Sequence, residues 1–122
     1  MQHRLFVYGT LQQGQRYHAA YLGERCGEAG RIHGWALQQG PGYPYAVRAQ
    51  ATVYGEVYRI DARLLYRLDR LENHPHEYRR HRCWVSLDSG RRCFAWLYVS
   101  QCSHPQARIR GGRWPSNRRN RR

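Results

Sequence analysis

The sequence predicts an α+β fold built on a curved, barrel-like sheet, and three observations carry that reading. Strand-like segments outnumber helical ones, only one helical pattern is strong, and no strand–helix alternation repeats along the chain. The last point excludes a doubly wound parallel sheet. At 122 residues, with 41% hydrophobic and 13% aromatic side chains, the chain supports one domain with a modest core. That domain is placed at residues 1–103, and residues 104–122 read as an Arg-rich, flexible tail.

The first element is the apolar run Leu5–Tyr8, which stops abruptly at Gly9-Thr10-Leu11. It is shorter than the apolar core of a signal peptide and no small-residue cleavage site follows, so it reads as a strand of the mature protein. No segment has the length of a membrane span, and with no address visible the expected location is cytoplasmic. Gln12–Gln15 is polar and contains Gly14, and Arg16–Leu22 carries a short helical pattern through Ala19, Ala20 and Leu22. Arg31–Gln38 is a strand candidate with Ile32, Trp35 and Leu37 among polar neighbours. The prolines and glycines of Gly40-Pro41-Gly42-Tyr43-Pro44-Tyr45 mark a loop.

Ala51–Ile60 alternates, with Val53, Gly55 and Val57 on one side and Tyr54, Glu56 and Tyr58 on the other. A glycine in the middle of a strand signals another group passing close to the backbone. The strong helix follows. Asp61 is its N-cap, Leu64, Leu65, Leu68 and Leu71 form its apolar stripe, and Asn73-His74-Pro75 ends it. Tyr78–Leu87 and Arg92–Ser100 close the domain as two strands joined by the turn Asp88-Ser89-Gly90.

Composition narrows the function classes. Cys26, Cys83, Cys93 and Cys102 lack Cys-x-x-Cys spacing and read as reduced, small hydrophobes. The histidines are scattered and no metal site is expected. The net charge is +13, and every Lys/Arg-type cation is arginine. Arg108 to Arg122 holds no acid; such an end is ordinarily solvated, and its route to function would be salt-sensitive binding of RNA or another polyanion. No recognition fold accompanies it.

Two features point to a small-molecule site. The break at Tyr8-Gly9-Thr10 is either a hairpin turn or a loop whose free backbone N–H groups receive an anionic ligand. Glu72 lies four residues after Leu68 and seven after Leu65, so the helical period projects it from the apolar stripe. Burial and the negative end of the helix both raise a carboxyl pKa from about 4.3 toward the range of a general base. The competing reading is a structural ion pair with Arg79 or Arg80, which would lower it. Tyr43 and Tyr78 either line such a pocket or pack in the core.

In order along the chain, Tyr8-Gly9-Thr10-Leu11, Gly14, Gly40-Pro41-Gly42-Tyr43-Pro44, Gly55-Glu56-Val57-Tyr58-Arg59-Ile60, Leu68-Asp69-Arg70-Leu71-Glu72 and Tyr78-Arg79-Arg80 resemble the gamma-glutamylcyclotransferase-like superfamily. The nearest branch is the short gamma-glutamylamine cyclotransferase (AIG2-like) proteins. The likeness runs from Leu5 to about Val99, and Gly112-Arg113-Trp114 is similar to a Gly-x-Trp near the end of some members.

The resemblance implies a small mixed β-barrel with flanking helices and a cofactor-free reaction in which a gamma-glutamyl compound cyclises to 5-oxoproline and releases an amine. It implies substrate binding by Tyr8, Gly9, Thr10 and Leu11, with Tyr78 beside them, and general acid/base catalysis by Glu72. Members without that acid have no established activity; this chain keeps it. The Arg-rich tail is a departure from the family. The alternative expectation is a non-catalytic member that binds a small carboxylate, or a polyanion through the tail.

Overall fold

Residues 2–101 and 107–115 are described in a computed structural model of the chain. Six strands and two helices follow one another as β1 (Gln2–Val7), α1 (His18–Tyr21), β2 (Glu28–Gln39), β3 (Pro44–Asp61), α2 (Ala62–Leu71), β4 (Tyr78–Leu87), β5 (Arg92–Ser100) and β6 (Arg108–Ile109), with a 3₁₀ turn at Arg110–Gly112. The sheet order is β3-β1-β5-β4-β2-β6, and β3 also pairs with β2. The first five strands therefore form a ring of pairings, which makes the sheet barrel-like, with β6 attached outside the ring. Most pairs are antiparallel; β1 and β5 run parallel through Leu5 and Trp96.

Alternation sorts the apolar side chains into two clusters. Inside the ring lie Phe6, Ile32, Trp35, Leu37, Val53, Val57, Val85 and Leu97. On the outer face, Leu5, Val7, Tyr58 and Ile60 receive the stripe Leu64, Leu65 and Leu68 of α2. Both faces of β1 are thus covered, which is why Leu5-Phe6-Val7 reads as an unbroken apolar run. Asp61 caps α2 by accepting from the Leu64 N–H at 2.8 Å. The Gly55 signal has its counterpart here, because a Cβ at that position would collide with the Val7 carbonyl oxygen and the Phe6 ring.

Several bounds differ from the sequence expectation. The second long strand begins at Pro44 and not at Ala51, because a proline at the first residue of a strand loses no ladder hydrogen bond there. The helix expected over Arg16–Leu22 is one turn with no side-chain cap, between Gly14 and Gly23, both at positive φ. Of the segment expected as tail, β6 pairs with Leu37 and Gln38, and the Trp114 indole N–H donates to Gln39 Oε1 at 3.2 Å. The arginine composition hid two apolar anchors, Ile109 and Trp114, that hold this stretch on the domain. Residues 104–106 and the Arg118–Arg122 run lie outside the described residues, as does Cys102.

Candidate active site

The chain leaves β1 at Val7 and turns through Tyr8-Gly9-Thr10-Leu11. The turn holds its own carbonyls: Gly9 O accepts from Gln12 N–H at 3.0 Å, Thr10 O from Tyr17 N–H at 2.9 Å, and Leu11 O lies 3.0 Å from His18 Nδ1. Among the described residues, no protein acceptor takes the N–H of Gly9, Thr10 or Leu11. Three donors in one turn are therefore free for a ligand, and free N–H groups on consecutive residues suit an anion. Gly9 is needed for close packing, since a Cβ there would come within 2.9 Å of the Pro44 ring. Gln12 ties the turn to the C-terminal segment, donating to Tyr8 O at 3.0 Å and also to Trp114 O.

This turn forms one wall of a cavity of about 240 Å³ that also holds Tyr43, Pro44, Glu72, Glu77, Tyr78 and Tyr98. Every site residue expected from the sequence lies on it: Tyr8, Gly9, Thr10, Leu11, Tyr78 and Glu72. Tyr78 is also buried in the outer-face cluster and Tyr43 packs against it, so for both the choice between lining a pocket and packing a core resolves as both.

Glu72 caps the C-terminus of α2, its N–H bonded to Leu68 O at 2.9 Å. Burial of its carboxyl, and then the charge of Glu77, push its pKa up to about 7. The second cause was not legible from the helix pattern, which pointed to the helix terminus. Among the described residues no arginine pairs with Glu72. Arg79 is exposed, and Arg80 is engaged elsewhere.

Arg80 forms a forked pair with Asp69, Nε to Oδ1 at 2.6 Å and Nη2 to Oδ2 at 3.0 Å. Tyr98 adds a third bond, its hydroxyl donating to Asp69 Oδ1 at 2.7 Å. Burial works against the charge on Asp69, but the bonds from Arg80 and Tyr98 outweigh it and its pKa falls below the usual 3.8. The strand period contains the clue that was missed: Arg80 shares a face with Tyr78, toward α2, whereas Arg79 points away.

The phenols around Glu72 are held neutral. Burial raises the pKa of Tyr8 and of Tyr78, and the negative charge of Glu72 adds to both. Tyr8 donates to the Tyr98 carbonyl at 2.7 Å, which fixes its ring. The cavity therefore combines an unpaired carboxylate able to exchange a proton near neutrality, neutral hydroxyls, and unbonded main-chain donors. No three His, Cys, Asp or Glu side chains among the described residues converge as a metal site would require, and no described helix is long and apolar enough to cross a membrane. Cys83 and Cys93 pack against the interior cluster with thiols pushed up by burial, Cys83 to about 12.

Comparison with known proteins gives a consistent result. The family described as gamma-glutamyl cyclotransferase, AIG2-like, matches residues 5–116. A protein of Vibrio cholerae is 38% identical over 106 residues, covering 85% of this chain and 87% of its own. The gamma-glutamylaminecyclotransferase of Bos taurus is 34% identical over 111 residues, covering 75% of this chain and 63% of that one. The crystal structure of an AIG2-like protein from Mus musculus superposes with a TM-score of 0.76 at 24% identity, over 85% of this chain and 80% of that one, a likeness of fold.

Proposed function

The chain belongs to the gamma-glutamyl cyclotransferase, AIG2-like family, and on that premise we propose that it converts a gamma-glutamyl amine or gamma-glutamyl amino acid to 5-oxoproline and the free amine, with Glu72 as general acid and base. The observation that carries this reading is the pairing of an unbridged Glu72, titrating at about 7, with the donor-rich turn Tyr8–Leu11 across one cavity.

The substrate's α-ammonium has to lose a proton before its nitrogen attacks the γ-carbonyl. An α-amino group titrates near 8 and an ordinary glutamate near 4.3, a gap of about 3.7 units or roughly 5 kcal/mol against transfer. At about 7, the Glu72 carboxylate faces a gap of only about one unit, ~1.4 kcal/mol. The amine lone pair forms the new C–N bond and the γ-carbonyl becomes a tetrahedral oxyanion. Glu72 then returns the proton to the departing nitrogen, and the oxyanion re-forms the carbonyl as the old C–N bond breaks. The ring nitrogen gives up its second proton, through the freed Glu72 carboxylate, to the released amine, which completes the five-membered lactam. Nucleophile and electrophile are already tethered, so holding the γ-glutamyl chain folded supplies proximity. The N–H groups of Gly9, Thr10 and Leu11 bind the substrate's carboxylate, and Tyr78 lines the same cavity.

Incubation with γ-glutamyl amines, γ-glutamyl amino acids and glutathione, with 5-oxoproline as readout, tests the proposal. Turnover of at least one substrate, falling about 10²–10⁴-fold in Glu72→Gln, supports it. Binding without turnover across the panel would leave the chain a non-catalytic carboxylate binder of the same fold.

A further inference from the structure

The outer face of the β4–β5 hairpin carries a second feature toward its Asp88-Ser89-Gly90 turn, beyond the strand ends where Tyr78 and Tyr98 line the cavity. Arg80, Arg82 and Trp84 of β4 alternate onto the same side as Arg92, Phe94 and Trp96 of β5, while Val85, Ala95 and Leu97 point into the ring. Arg82 lies opposite Trp96 and Trp84 opposite Phe94. The rings of Trp84 and Phe94 are 5.0 Å apart, centre to centre. Arg92 sits 4.7 Å from the Trp84 ring, and Arg80 and Arg82 each sit 4.4 Å from Trp96. Cations and aromatic planes thus interleave along one strip of sheet. Trp84 is 56% and Phe94 44% exposed, which is unusual for rings of this size on a sheet.

We propose that this strip binds single-stranded nucleic acid, with bases stacking on Trp84 and Phe94 and the guanidinium groups of Arg82 and Arg92 meeting phosphates. Charge complementarity selects the occupant. β4 and β5 contain no acidic residue, and the chain as a whole carries +13. A second copy docking through this face about a two-fold axis would set arginines against arginines with no acid on either strand to receive them. A polyanion meets no such repulsion. The rings decide which polyanion: in a duplex the base faces are stacked away, whereas an unpaired strand offers them to exposed aromatics on a sheet. Same-face residues along a strand stand about 6.7 Å apart and neighbouring strands about 4.8 Å, so the two rings form one continuous platform.

Fluorescence anisotropy of the full chain with a labelled mixed-sequence 12-nucleotide single strand, a duplex of equal length and a polyglutamate peptide distinguishes the possibilities. The single strand binds tightest, and Trp84→Ala and Phe94→Ala each weaken it by about 5- to 150-fold. Arg82→Gln or Arg92→Gln lowers the slope of log affinity against log salt by about 0.7 for each phosphate no longer neutralised. Melting temperatures of the variants control for folding, which exposed positions leave intact. Replacing Arg118, Arg119, Arg121 and Arg122 by glutamine lowers affinity for every polyanion alike and leaves the preference for single strands. Three outcomes overturn the proposal: affinity unchanged in both aromatic variants, polyglutamate binding as tightly as the oligonucleotide, or dimerisation in sedimentation that Trp84→Ala abolishes.

Discussion

Asp69 and Glu72 stand three residues apart at the end of α2, and their surroundings drive them in opposite directions. Asp69 faces the β4–β5 strands, where Arg80 and Tyr98 together give its carboxylate three hydrogen bonds and hold it ionised. Glu72 faces the cavity, where burial and Glu77 raise it to about 7. One helix therefore carries a structural carboxylate and a proton-exchanging one. What separates them is the allocation of a single arginine: a guanidinium at Glu72 would hold its proton affinity too low for the proposed chemistry.

The largest expected effect breaks the contrast at its reactive end. If Glu72 is the base, kcat/KM falls toward tenfold per pH unit below its pKa, about fiftyfold between pH 7 and pH 5, and the limb disappears in the residual activity of Glu72→Gln. A limb centred near 4 would mean that Glu72 is not the titrating group.

Arg80→Gln attacks the structural end. Both partners of the pair keep little exposure, 18% for the arginine and 16% for the aspartate, so removing the cation leaves Asp69 poorly compensated. The expected loss is about 2–4 kcal/mol, toward the low side of a fully buried pair. Adding Asp69→Asn recovers part of it, and a denaturant-unfolding cycle reads the coupling. A loss under about 0.5 kcal/mol would show that the pair behaves as a surface bridge. Tyr98→Phe sharpens the same end more gently: deleting one hydroxyl donor to a charged acceptor costs about 1–2 kcal/mol, with the ring's packing retained.

Much of this arrangement is legible in the sequence because it rests on local periods. The 3.6-residue spacing places Glu72 on the line of Leu65 and Leu68, and the strand bounds Tyr78–Leu87 and Arg92–Ser100 follow from turn chemistry and alternation. The partner of Arg80 is not legible, because it depends on how β4 lies against α2, a long-range relation. The same holds for Ile109 and Trp114: surrounding arginines dominate the composition, while the residues that seat this stretch on β2 lie 70 or more positions away in the chain. The exposed face of the hairpin is hidden for a third reason. Alternation shows that Trp84 and Phe94 share a side, but only the closure of the ring determines which side is outside.

The smallest effect tests the contrast through stability. Because the folded pKa of Glu72 is raised, the native state holds a proton that the unfolded chain has released between about pH 4.5 and 7. Unfolded chains then bind fewer protons, so stability declines as pH rises through this window, and the ionised carboxylate destabilises the fold fully above it. Glu72→Gln removes that penalty. Its melting temperature exceeds that of the parent at pH 8, by a gain on the order of 1 kcal/mol for a half-buried group, and the two converge as pH falls toward 4.5. Asp69→Asn behaves with the opposite sign. Its parent carboxylate is depressed, so the variant is the less stable at pH 7 and the deficit closes only below pH 3.8. Parallel melting curves for the two variants across pH 3 to 8 would show that the two acids share one environment, and the assignment of separate roles along α2 would fall with it.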